Sequence, residues 1–388
     1  MITHGFTYIA VLIFFAGVLV MLEKKTNWKL FKFLPAIVLL YLLTMVLCTV
    51  GLWDLKATAG AYSGLKNNIL YAMIGLMLLR CDIRQIIRLG PRMLGGFFSA
   101  SASIAVAFIA VFAIMKGVLG AGAWKPLAAL CGSWIGGSGN MIAVQAALDV
   151  NEGDMGYALV VDSIDYSIWV MFLFWAISFA PKFNKWTKSS TDAIDEVGNR
   201  LEAGAAKTDS TVTFPNLLLL LGGALIVSAL AQLGGSAINK GVPFFDSATW
   251  TVLIVTVVGL VAAMTPAGKI AGSAELSNVL LYCVIALLAS RANLMDLTDG
   301  HWWILSGFMI LAIHGILLVG IAKLFKLDLF TIGVASLANI GGTASAPILA
   351  GAYRGPLVPV GILMALMGYV IGTFTALGVG QVMSLIAR

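Results

Sequence analysis

Apolar runs follow one another along almost the whole chain, parted by short loops that carry Lys and Arg. Windows of ~19 residues predict spans near 6–22, 33–53, 67–80, 93–115 and 155–180. A second set follows near 214–232, 248–263, 276–290, 302–322 and 357–385. Two more apolar stretches, 126–148 and 330–352, are interrupted by glycine. They read Ile135-Gly136-Gly137-Ser138-Gly139-Asn140 and Ile340-Gly341-Gly342-Thr343-Ala344-Ser345. Irregular backbone at membrane depth survives only where protein or a water-filled cavity satisfies it. A matched pair in the two halves of a chain therefore points to a transporter's binding site.

The halves also share a motif. Asn67-Asn68-Ile69-Leu70-Tyr71 running to Arg80 matches Asn278-Val279-Leu280-Leu281-Tyr282 running to Arg291, with Asn, Leu, Tyr and Arg at one fixed offset. Internal duplication is expected. The one sizeable polar segment, 181–213, reads as a cytoplasmic linker with room for a short surface helix.

Composition agrees with lipid as the solvent. The chain is 60% hydrophobic and 11% charged, with mean hydropathy +0.98, where an average soluble domain is about 25% charged. The net charge of +6 would suggest nucleic acid in a soluble protein. Here the positives sit in short loops, so the partner is the bilayer and no nucleic acid is expected. No cleavable signal peptide is visible, because Phe6–Leu22 is long enough to span and leads into Glu23-Lys24-Lys25. Cys48, Cys81, Cys131 and Cys283 form no CxxC pair or metal spacing and read as packing residues.

Charge also decides between hairpins and crossings. With the N-terminus outside and both glycine segments returning, 17 of the 24 Lys and Arg fall inside and 7 outside. If both segments cross, the division becomes 11 and 13. The positive-inside rule favours returning segments. Each half then has an odd number of spans, so the second is inverted. The expected fold is an all-α membrane protein of two inverted repeats, each of five transmembrane helices plus one glycine-rich re-entrant or broken helix. The N-terminal repeat covers 1–190 and the C-terminal repeat 214–388, in the inner membrane, with a homodimer allowed.

Three groups of residues could carry chemistry. Gly136, Gly137, Gly341 and Gly342 can turn the chain sharply and expose backbone N–H and C=O groups. Helix N-termini there suit anions, and unwound carbonyls suit Na⁺. Ser138, Gly139, Asn140, Asn339, Thr343 and Ser345 add small ligands or space at the same places. The alternative is close helix packing by small residues. Asp162 and Asp165 form the second group, roughly 10 and 15 Å along their span and on one helix face. An ionisable residue at that depth marks a functional site by default. Asp165 is the Na⁺ candidate, with Asn140 and Asp162 as cation-coupling partners; the alternative is a structural carboxylate bonded to a neighbouring helix end. His314 is the third. A lone intramembrane His is most often a satisfied helix contact, with proton relay the minority reading. Gln145 and Tyr353-Arg354 flank the glycine segments, and Arg354 reads as an interface anchor.

On GGSGNMIAVQAAL and NIGGTASAPILAGAY, the chain resembles the YjcL-like family of bacterial integral membrane proteins of unassigned function, over nearly its whole length. The plan also looks like sodium/glutamate symporters and 2-hydroxycarboxylate carriers, and more distantly like bile-acid symporters and cation/proton antiporters. That resemblance implies that Gly136–Asn140 and Gly341–Ser345 bind substrate and Na⁺. The second tip has Ala344 where the first has Gly139. The leading expectation is a cation-coupled secondary transporter of a small anionic organic solute, a carboxylate, with Na⁺ or H⁺ as coupling ion and no cofactor. A cation/proton antiporter is the nearest alternative. A rhomboid-like serine protease is the third: Gly136-Gly137-Ser138-Gly139 fits GxSG, with His314 as base. It leaves the second tip unexplained, and the chain is not expected to be an enzyme.

Overall fold

In hydrocarbon every backbone polar group must find its partner within the segment, which leaves helices as the solution for apolar runs like these. The computed structural model describes residues 1–26, 28, 30–33, 36–87, 89–189, 211–242, 247–292, 300–354 and 357–388. Among them there is no strand, only an isolated bridge between Ile2 and Trp53. The first half gives α1 (Gly5–Lys25), α2 (Ala36–Thr49), α3 (Ala59–Leu78), α4 (Gly90–Leu119), α5 (Trp124–Gly136), α6 (Ser138–Leu148), α7 (Glu152–Ala176) and α8 (Ala180–Thr187). The second gives α9 (Phe214–Gly241), α10 (Ser247–Ala263), α11 (Ser273–Ala289), α12 (Gly300–Phe325), α13 (Leu329–Ile340), α14 (Gly342–Tyr353) and α15 (Val358–Ala387).

Six of these segments are long and apolar enough to cross a membrane: α1, α4, α7 with α8, α9, α12 and α15. All ten expected spans fall on helices. The third differs most, since α3 begins at Ala59 rather than near 67. Its first turns, Ala59–Lys66, are too polar for a hydropathy window to claim. Most of the expected linker, 190–210, lies outside the described residues. Its first part, α8, continues from α7 and stops at Lys188, which has φ +58.

Two bundles result. One packs α1, α2, α3, α9, α10 and α11; the other packs α4–α7 with α12–α15. Each draws on both halves of the chain, so 1–190 and 214–388 interleave. The bundles meet where α6 lies against α3 and α10, and α7 against α2 and α11.

Bonds between elements sort the loops to two ends. At one end Trp53 Nε1 donates to the Ser290 carbonyl (2.9 Å), and Lys116 Nζ to that of Ile386 (2.8 Å). At the other Arg84 reaches the Met264 carbonyl (2.7 Å), and Arg92 that of Lys326 (3.1 Å). α3 and α11 therefore run in opposite directions, as do α4 and α12. The C-terminal end of α11 meets the chain entering α3, where Arg291 donates to Thr58 Oγ1 (3.0 Å). The start of α4 likewise meets the end of α12 through Arg92 and Lys326.

Candidate binding site at the hairpin tips

α5 ends because Gly137 takes φ +84 and ψ 177, a conformation essentially reserved for glycine. The Gly137 carbonyl then accepts from Asn140 N (3.0 Å) and opens α6. The chain turns back along itself. A Cβ on Gly132 would stand 3.1 Å from both the Asn140 carbonyl oxygen and Val144 Cγ2. At the foot, Lys125 Nζ donates to the Asp149 carbonyl (3.3 Å). α13 and α14 form the second hairpin. Gly342 turns at φ +57, and the Phe330 and Tyr353 rings meet edge-on at 5.3 Å at its foot. Pro347 lies inside α14 and supplies no N–H, so the Thr343 carbonyl at the tip loses its helical donor.

Only one glycine of each pair uses positive φ. Gly136 and Gly341 were expected to turn the chain, yet their backbones lie at negative φ and their role is close approach. A Cβ on Gly136 would stand 2.6 Å from the Gly368 carbonyl oxygen on α15. One on Gly341 would meet Tyr166 Cε2 at 2.8 Å. α5 thus crosses α15 backbone to backbone, permitted by Gly368 and Gly372.

The feet lie at opposite ends of the bundle and the tips converge on Tyr369, near the middle of α15. Asn140 Nδ2 donates to the Tyr369 carbonyl (3.1 Å) and to Thr373 Oγ1 (3.0 Å). The Tyr369 hydroxyl pairs with Thr343 Oγ1 (2.9 Å), and its ring edge lies 3.3 Å from where a Gly137 Cβ would sit. The stretch 363–369 holds no acid, so no intramembrane carboxylate marks it. Tyr369 shows its part only through these contacts.

The two acids do different things. Asp162 is held: Ser133 Oγ lies 3.1 Å from each carboxylate oxygen, and Trp134 Nε1 donates to Oδ1 (2.9 Å). It fixes the first hairpin to α7, the structural alternative weighed for it. Asp165 is fully buried, with neither carboxylate oxygen hydrogen-bonded. Its carboxylate occupies the space over Gly307 of α12.

The other expected ligands are spread around the two hairpins. Asn339 accepts from Ser101 Oγ (2.7 Å) and donates to the Ala335 carbonyl (2.8 Å), facing α4. Ser345 Oγ is buried without a hydrogen bond of regular geometry, although the Tyr166 side chain stands beside it. Ser138 and Gly139 lie at the start of α6, where a Cβ on Gly139 would collide with Met77 Sδ of α3. Arg354 follows α14 at its foot, far from the tip.

His314 is satisfied on both sides. Ser103 Oγ donates to the Ala100 carbonyl (2.8 Å), so it accepts from His314 Nδ1 (2.8 Å). Nε2 then accepts from Ser336 Oγ (2.8 Å), which accepts from Trp169 Nε1 (2.9 Å). Each proton is used once in the neutral ring.

Space is distributed unevenly. The tip pocket beside Met77, Asn140, Tyr369 and Thr373 holds about 10 Å³, room for about one water. A cavity of about 390 Å³ opens farther along the same face of α6, against α3 and α10. Gln145, Asp149 and Glu152 line it with Lys66. The Asp328 carboxylate caps α13 through Thr331 N (2.8 Å) and pairs with Arg92 (3.3 Å), bracing the second hairpin. Its Asp-x-x-Thr spacing before an apolar run is an N-cap signal that sequence reading missed.

The profile of the family described as "Protein of unknown function (DUF819)" matches residues 10–386, so the chain belongs to that family. No curated protein matches it.

Proposed function

We propose that this DUF819 protein is a cation-coupled secondary transporter of a small carboxylate-bearing solute, working by alternating access in the inner membrane. The observation that carries the reading is the meeting of two hairpin tips, from opposite ends, on the single residue Tyr369. Broken helices converging at mid-depth are how transporters present backbone dipoles to solute and ion. The antiparallel third and fourth spans support two inverted repeats. The end carrying Arg84, Arg92, Lys323 and Lys326 would be cytoplasmic and the N-terminus outside.

The bundle of α4–α7 and α12–α15 rocks against the other across the α3–α6 contact. Solute enters by the 390 Å³ cavity and reaches the tips once Met77 swings aside. Asp165 takes the coupling ion, Na⁺ or H⁺, since a buried carboxylate without partners needs a compensating charge. That residue also suits a cation/proton antiporter, the alternative reading. A serine protease is disfavoured because both His314 nitrogens are bonded to Ser103 and Ser336, neither of them to Ser138. The likeness of the tips to those of sodium/glutamate symporters and 2-hydroxycarboxylate carriers points to transport as well.

The test is thermal stabilisation of purified protein by a panel of organic acids and amino acids, with and without Na⁺, followed by uptake into liposomes. At least one carboxylate should raise the unfolding midpoint and accumulate under a Na⁺ or proton gradient. Gradient-driven cation exchange with no organic solute would select the antiporter. Neither binding nor flux would end the transport reading.

A further inference from the structure

We infer that the cavity between α3, α6 and α10 is a subsite for a zwitterionic solute, a carboxylate that also carries an ammonium group. This rests on the transporter reading and narrows its substrate class. Opposite charges line one space of about 390 Å³ without pairing with each other. Among the described residues the ion pairs are Arg84 with Asp82 and Arg92 with Asp328, so Lys66 bridges to neither Asp149 nor Glu152.

Lys66 and Glu152 both engage Tyr62. Lys66 Nζ sits 5.1 Å from the centre of its ring, while its hydroxyl donates to Glu152 Oε1 (2.7 Å). The Arg291 guanidinium covers the same ring at 4.6 Å. Three charged neighbours therefore hold the Tyr62 side chain, and Lys66 and Glu152 each meet it instead of each other. On the same cavity Gln145 is buried with its Oε1 unpartnered. An unsatisfied amide beside a cavity of ligand size is completed by a polar solute. A carboxylate suits Lys66, an ammonium suits Asp149 and Glu152, and Gln145 takes the polar atoms between. A solute with a carboxylate alone would satisfy Lys66 and leave two acids facing it, which disfavours it electrostatically. A free amino acid or a dipeptide matches both the volume and the charge pattern.

The experiment uses full-length protein in nanodiscs and calorimetric binding of three matched probe sets. These are α-amino acids and dipeptides, their des-amino carboxylates, and their amides lacking the carboxylate. The zwitterions should bind about tenfold or more tightly than either truncated set, as expected for a lost charge-assisted contact. Glu152→Gln and Asp149→Asn should each narrow the preference over des-amino compounds. Lys66→Met should weaken zwitterions and des-amino carboxylates alike. Equal binding of amino and des-amino partners by the wild-type protein overturns the inference, and that arm needs no variant to fold. If des-amino carboxylates bind and are transported without preference, the transporter reading stands and this one falls. If no probe set binds, this inference falls, and the transporter reading falls with it only if the organic acids and cation gradients also produce no flux.

Discussion

The Tyr369 hydroxyl lies 2.9 Å from Thr343 Oγ1, while the same residue's carbonyl accepts from Asn140 at 3.1 Å. One residue of α15 thus holds both tips by different atoms, side chain for the second hairpin and main chain for the first. A change at the phenol should release one tip and spare the other.

Tyr369→Phe and Thr343→Ala each remove one side of that link and should cost about 0.5–1.5 kcal/mol of stability. Because they share the bond, the double variant should cost less than their sum. Asn140→Ala should add independently, since it loses bonds to a carbonyl and to Thr373. Unfolding midpoints of the four proteins in detergent check this. Strict additivity of the first pair would remove the bridge.

The tip glycines differ in what they tolerate. Gly137, at φ +84 and ψ 177, should reject every side chain, at about 1–3 kcal/mol of backbone strain. Gly342, at φ +57 with no atom within 4 Å of a Cβ, should accept Asn better than Val. Ser138→Ala and Thr343→Ala should produce only graded losses of binding, whereas a protease would be abolished by Ser138→Ala. Solute binding to the purified variants separates these outcomes. Full binding by both Gly137→Val and Gly342→Val would return the glycines to packing.

Much of the architecture was legible because membranes simplify the code. Apolar length gave the spans, and a repeated GG gave the two places where helices break and fold back. The failures have physical causes. Hydropathy ignores a polar first turn such as Ala59–Lys66, so α3 began late. Nothing in a hydropathy pattern says that α3 packs on α11, about 200 residues farther along the chain. At the site, residue type was readable but its partner was not. Asn339 looks as free as Asn140 until Ser101 is seen to hold it. Tyr369 and Met77 carry no charge, and only contact reveals them.

His314 should behave as a structural residue. His314→Ala leaves the Ser103 and Ser336 hydroxyls and the Trp169 N–H without their shared centre. A buried group left unsatisfied costs about 1–3 kcal/mol. The unfolding midpoint should fall, while the pH profile of any remaining transport keeps its shape. A displaced profile in a folded variant would restore the proton-relay reading.

The hairpins make a labelling prediction. Cysteines at Ala121 and Asn151, on either side of the first hairpin, should react from the same face, and one at Arg354 from the opposite face. Asn151 caps α7 by accepting from Gly153 N (2.7 Å), so its replacement costs about 1 kcal/mol and is tolerable. Native Cys81, just past α3, should stay silent: burial pushes its thiol up to about 12, with Arg80 opposing weakly. Only the thiolate reacts, so raising the labelling pH to about 9 leaves it protonated. Half-buried Cys48 is best replaced first. Opposite faces for Ala121 and Asn151 would mean that the first glycine segment crosses.

Asp165 and Gly307 give the sharpest test of ion coupling. The carboxylate fills the place where a Gly307 side chain would stand, and neither oxygen has a hydrogen bond. Gly307→Ala should therefore overpack the α7–α12 contact, at about 1–3 kcal/mol, and displace the carboxylate. The same change in an Asp165→Ala background should cost less, because of the two side chains a methyl would meet only Val161, at 2.5 Å, remains. That non-additivity is the signature of direct contact. Asp165→Asn keeps the shape and loses only the charge, so fold and expression should persist while ion-driven uptake is lost. Comparing Na⁺ and proton dependence of uptake by wild type and Asp165→Asn decides the matter. Unchanged ion dependence in Asp165→Asn would place the cation elsewhere and leave Asp165 as a buried acid in a helix contact.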